Sequence, residues 1–73
     1  MKDSARVRFG QHVARMRRQL WLSQERLAEM AGINTVTLRH IEDGELNITL
    51  DVLNRIAVVL GGELEIVIKD IEL

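Results

Sequence analysis

The sequence predicts a mainly α-helical fold: a bundle of four to five short helices followed by one β-strand that pairs between two subunits. Three observations predict it. Apolar residues recur at three- and four-residue spacing in successive stretches as far as Leu60. From Glu63 the pattern changes to a period of two, with β-branched residues. Between the stretches stand Gly, Ser, Thr and Asn, while proline is absent. Residues 1–73 read as one domain, with the helical bundle over about 5–60 and the strand over about 63–69.

The first helix presents Phe9, Val13, Met16 and Leu20 on one face. Ser4 is a candidate cap for its start, and Gly10 interrupts its pattern. Arg6 and Arg8 alternate with Ala5, Val7 and Phe9, so an extended arm competes with helix there. Ser23 caps a second helix from about Gln24 to Ala31, because its oxygen can take an amide left free in the first turn. Arg26 stands where Glu or Gln would complete a capping box. Leu27, Ala28 and Ala31 face inward, and Gly32 ends the helix because it tolerates left-handed dihedrals.

Asn34 then caps a third helix with Leu38 and Ile41 inward, stopped by Asp43-Gly44. Thr49 caps a fourth, with Asp51 well placed against the helix dipole. Leu50, Leu53, Ile56, Ala57 and Leu60 form its inward stripe, and Gly61-Gly62 breaks it. In the last segment Leu64, Ile66 and Ile68 alternate with Glu63, Glu65, Val67 and Lys69. A lone strand leaves amides and carbonyls unpaired, so this one requires another chain.

Size leads to the same expectation. Below roughly 80 residues one core seldom supplies more than about 3–5 kcal/mol, and small chains add disulfides, a metal or a partner. The chain has 73 residues and no cysteine, which excludes disulfides and thiolate metal sites. Two histidines cannot build a structural zinc site alone, so a homodimer is expected, with no cofactor. No apolar run approaches the roughly 20 residues of a membrane span, and no signal peptide opens the chain, which reads as cytoplasmic. An enzyme is a poor reading: no nucleophile, base and orienting group cluster, and serine occurs only at Ser4 and Ser23.

The formal net charge of -1 conceals a strong polarity. Residues 1–26 carry seven basic and two acidic side chains, a balance of +5; residues 27–73 carry three and nine, a balance of -6. Such a chain can turn a cationic face to phosphates while staying nearly neutral. Charge alone leaves open a solvated surface with internal ion pairs.

Two short helices joined by a Gly-containing turn, the second opening with small polar residues, make a helix-turn-helix. The second helix must be short and smooth to enter a major groove, with small residues letting its backbone approach the base edges.

The run from Phe9 to Leu60 resembles the lambda-repressor-like (Cro/cI, or XRE) helix-turn-helix family. The resemblance is carried by Met16-Arg17, Leu22-Ser23-Gln24, Leu27-Ala28, Ala31-Gly32-Ile33, Leu38, Ile41-Glu42, Gly44, Leu53 and Leu60. The tail, Thr49-Leu50 through Leu60 and then Gly-Gly and a strand, resembles the HipB-type antitoxins, whose terminal strands pair across the dimer axis. The resemblance implies that Gln24 bonds a DNA phosphate and that Asn34, Thr35, Val36, Thr37, Arg39 and His40 lie at the DNA. It implies a structural ion pair between Arg17 and Glu42, and dimerisation through Leu64, Ile66 and Ile68. Three residues depart from the family pattern: Trp21, where Gly or a polar residue is usual; Ile48, where Pro is common; and Val36, apolar on a usually polar surface.

Individual roles stay open. Arg39 could read a guanine, touch a phosphate or face solvent; Val36 could pack on a thymine methyl or be plainly exposed. His40 suits a phosphate contact, whereas His12 reads as an ordinary surface or partly packed residue. Arg15, Arg18 and Arg26 could meet the DNA backbone or only water.

The functional expectation is a dimeric repressor on a palindromic operator in double-stranded DNA, the HipB-like antitoxin of an operon it regulates, with a HipA-like toxin kinase as partner. The alternatives are an antitoxin whose main task is holding its toxin, and a stand-alone phage-type repressor.

Overall fold

Side-chain oxygens fix where three of the helices begin. In the computed structural model, which describes residues 5–45 and 48–61, α1 spans Ala5–Gln19, α2 Gln24–Ala31, α3 Thr35–Glu42 and α4 Leu50–Leu60. Ser23 Oγ accepts the Arg26 amide at 3.0 Å, Asn34 Oδ1 the Val36 amide at 2.7 Å, and Thr49 Oγ1 the Val52 amide at 3.2 Å. Each such cap contributes about 1 kcal/mol to the helix it starts.

The caps orient the apolar stripes toward one core. Phe9 and Val13 of α1, Leu27 of α2, Leu38 and Ile41 of α3 and Ile56 of α4 are all completely buried. Met16, Ala28, Ala31 and Leu60 close the cluster, and Leu22, Ile33, Ile48, Val52 and Leu53 pack against it. α1 lies on α3, and α2 lies between α3 and α4.

Two glycines permit this arrangement. Gly10 sits where α1 meets the end of α3, and a Cβ there would overlap the carbonyl oxygen of Ile41 and come within 2.9 Å of that of Glu42. The interruption in the helical pattern is therefore a close approach of two backbones. Gly32 holds φ +70° and ends α2; the Ile33 amide reaches back to the Ala28 carbonyl at 2.9 Å. Only residues 32–34 separate α2 from α3, so the left-handed turn directs one helix across the other.

The structure corrects the expected pattern in three places. Residues 5–9 are helical, so the extended arm at Arg6 and Arg8 is absent; burying Phe9 together with Val13 and Met16 needs helical spacing. Leu20 is not part of the inward face: α1 ends at Gln19, Trp21 turns the chain with φ +60°, and Leu20 is left half-exposed. Leu50 is the first residue of α4 and is 80 % exposed, so the inward face of that helix is built from Val52, Leu53, Ile56 and Leu60. Among the described residues there are four helices. Ser4, Gly62 and the strand residues Leu64, Ile66 and Ile68 lie outside them. No helix among the described residues is long and apolar enough to cross a membrane.

Candidate nucleic-acid interface

With Leu38 and Ile41 committed to the core, the helical repeat sends Val36, Arg39 and His40 to the opposite side of α3. All three are exposed, Val36 to 51 %. Thr35 and Thr37 are half-buried and border this strip, and the capping residue Asn34 is exposed at its start. The structure thus brings the predicted residues of α3 to one outer edge, with the two threonines at its margins. Asn34 spends its side-chain oxygen on the Val36 amide, leaving its NH2 group for other contacts.

His40 is not isolated on this edge. Its Nδ1 lies 3.1 Å from Glu45 Oε1, a pair the sequence reading missed, since Glu45 follows the helix and no helical repeat links the two.

A second group of side chains ties the helix-turn-helix to α1. Arg17 donates from Nε to Glu42 Oε2 at 2.7 Å and from Nη2 to Glu42 Oε1 at 3.0 Å, a paired geometry that fixes both planes. The two side chains are 12 % and 6 % exposed. The remaining Arg17 nitrogen, Nη1, donates to the Leu22 carbonyl at 3.0 Å and so fastens the α1–α2 turn.

Gln24, on the first residue of α2, donates from Nε2 to Glu42 Oε1 at 2.9 Å, which sequence spacing did not foretell. Its Oε1 faces Arg39 Nε at 3.5 Å, a long contact. The carboxylate on one side and the guanidinium on the other fix which way the amide points. Its second N–H remains for an outside acceptor. Through Glu42 and Gln24, the turn, the start of α2 and the exposed edge of α3 are held in one arrangement.

The other arginines differ in commitment. Arg15 bonds the half-buried His12 through Nη2 and Nδ1 at 2.9 Å, and Arg26 pairs with Glu29 one helical turn on at 3.0 Å. Arg18 is exposed and pairs with no acid among the described residues. Surface pairs of this kind contribute little to stability, so Arg26 can exchange Glu29 for a phosphate at small cost. Among the described residues no group of three or more His, Cys, Asp or Glu side chains is placed to hold a metal ion.

The chain matches the family model described as Helix-turn-helix over residues 13–67, which takes in all of α2, α3 and α4. No curated protein matches it. A match across most of the chain, on a core and turn of this geometry, places the protein in the XRE/lambda-repressor-like helix-turn-helix family of DNA-binding transcription regulators.

Proposed function

We propose that the protein is a cytoplasmic, dimeric, sequence-specific repressor that reads a palindromic operator in double-stranded DNA. Each subunit places the edge of α3, from Asn34 to His40, in the major groove of one half-site. The observation that carries this reading is that edge itself: Val36, Arg39 and His40 stand exposed on a helix whose opposite side is locked in the core. Arg39 reads a guanine, and Val36 packs on a thymine methyl. Gln24 gives its free amide proton to a phosphate, and Arg18 and Arg26 supply further phosphate contacts.

Dimerisation runs through the carboxyl end, with Leu64, Ile66 and Ile68 pairing between subunits. The apolar residues left open on α4 support a second chain nearby, since Leu50 and Val58 are 80 % and 76 % exposed. A two-fold axis then sets half-sites about one helical turn apart or somewhat more. We further read the chain as a HipB-like antitoxin that represses its own operon and whose partner is a HipA-like toxin kinase.

The test is titration of a labelled duplex taken from upstream of its own gene at several salt concentrations. Binding should weaken linearly on logarithmic axes, with about one unit of slope for each phosphate neutralised. A flat response would remove the phosphate contacts from the account. Ile66→Lys should shift the sedimenting dimer toward monomer, and a mutant that remains dimeric would place the subunit contact elsewhere.

A further inference from the structure

Trp21 is the chain's single tryptophan, it is 93 % exposed, and its φ of +60° lies in the left-handed region. Both features work against the fold. A residue with a Cβ is strained in that region, where glycine is not. A large aromatic ring left in water adds no packing to the bundle. What Trp21 is for must therefore be sought outside the chain.

Its surroundings indicate the partner. The Trp21 amide donates to the Arg18 carbonyl at 3.0 Å, and the next carbonyl, that of Leu22, is held by Arg17. Arg17 also grips Glu42, and Glu42 holds Gln24, whose other end faces Arg39. The turn bearing Trp21 is thus fixed to the same frame as the exposed edge of α3. Arg18 and Arg26 are exposed on either side of it in the sequence. Glu42 is already taken by Arg17 and Gln24, and Glu29 by Arg26; of the two acids in α2, Glu25 alone keeps no such bond among the described residues. An exposed aromatic ring on a turn whose sequence neighbours include exposed arginines matches a surface that alternates anions with small apolar faces. The duplex backbone, phosphate and deoxyribose in turn, is such a surface.

We propose that Trp21 lies against the deoxyribose–phosphate backbone at the flank of each half-site, the ring on a sugar and the indole N–H donating to a phosphate oxygen. The contact rests on the DNA-binding reading above. It positions the subunit and carries no base preference. A protein interface is the rival, but the centre of one is depleted of charge, and the one other exposed large apolar residue in the turn is Leu20, 47 % exposed, since Leu22 packs against the core.

The test uses the full chain and the duplex it enriches from a random pool, with binding followed by the anisotropy of a dye on the DNA. Trp21→Gly removes the ring and relieves the backbone, so it should unfold at the same or higher urea concentration. Its affinity should nevertheless fall about tenfold, equivalent to about 1.4 kcal/mol, with the preferred bases unchanged. Trp21→Phe, which keeps a ring but no N–H, should fall between. In the unaltered chain, Trp21 emission should become shielded from iodide when duplex is added. Full affinity in Trp21→Gly overturns the proposal and leaves the DNA-binding reading standing. Emission that follows chain concentration and ignores duplex also overturns it, in favour of a second copy. If no duplex is enriched or bound at all, this contact and the reading beneath it fall together.

Discussion

α3 and α4 use their apolar residues differently. α3 has three large apolar residues; two are fully buried, and the third, Val36, stands among polar neighbours. α4 has more than its inner side can take. Ile56 and Leu60 are buried, Val52 and Leu53 pack partly, and Leu50 and Val58 remain in solvent. Near Leu50 the helix borders a shallow open depression with Asp51, Leu53 and Asn54. One helix therefore shows outside a narrow polar strip with a single exposed apolar side chain, suited to a wet, hydrogen-bonding groove. The other shows a surface suited to another polypeptide. The contrast fits the two kinds of partner proposed above for the two helices.

The contrast can be broken first at the frame that holds α3. Glu42→Ala leaves the Arg17 guanidinium without its carboxylate in a nearly buried position, and frees Gln24 as well. Urea denaturation should show a loss of about 3–5 kcal/mol. A loss under about 1 kcal/mol would mean that the pair only decorates the seam. Gly10→Ala attacks the same seam from α1, since its Cβ would overlap the Ile41 carbonyl oxygen. The helices must part, at a cost of about 2–3 kcal/mol by the same measurement.

The next substitutions separate the surfaces. Arg39→Ala should leave the urea midpoint nearly unchanged while removing about 1–3 kcal/mol of discrimination at one base pair per half-site, measured by competition between duplexes. Leu50→Ser combined with Val58→Ser should change the stability of the folded subunit by no more than about 0.5 kcal/mol. Sedimentation should nevertheless show a weaker dimer, and an unchanged dimer would free α4 from that role.

Much of the fold could be read from local signals. Ser23, Asn34 and Thr49 each cap a helix as their residue types and positions imply, and Gly32 turns the chain with positive φ. Such features depend on a few consecutive residues. The readings that went astray depended on distant ones. Leu20 and Leu50 continue their apolar patterns by spacing, but each sits at the end of a helix, where the packing partner has run out. Gly10 looked like a flaw in a helix until the backbone of α3 appeared beside it.

The candidate site divides in the same way. The spacing of Leu38 and Ile41 alone implies which edge of α3 is exposed. The bond from Gln24 to Glu42 and the pairing of His40 with Glu45 needed the folded arrangement to be seen. The conformation of Trp21 had one sequence signal, the Gly usual at that place in the family it resembles, though nothing in its own neighbours marks a left-handed residue.

The account depends most on the exposed edge of α3 meeting the major groove in two symmetry-related copies. Selection from a pool of random duplexes measures this directly, with the unaltered chain and Arg39→Ala run side by side. The unaltered chain should enrich a sequence with two-fold symmetry, and Arg39→Ala should lose its preference at one pair of symmetric positions. A pool that stays random with the unaltered chain, or an enriched sequence that Arg39→Ala selects equally well, would contradict it.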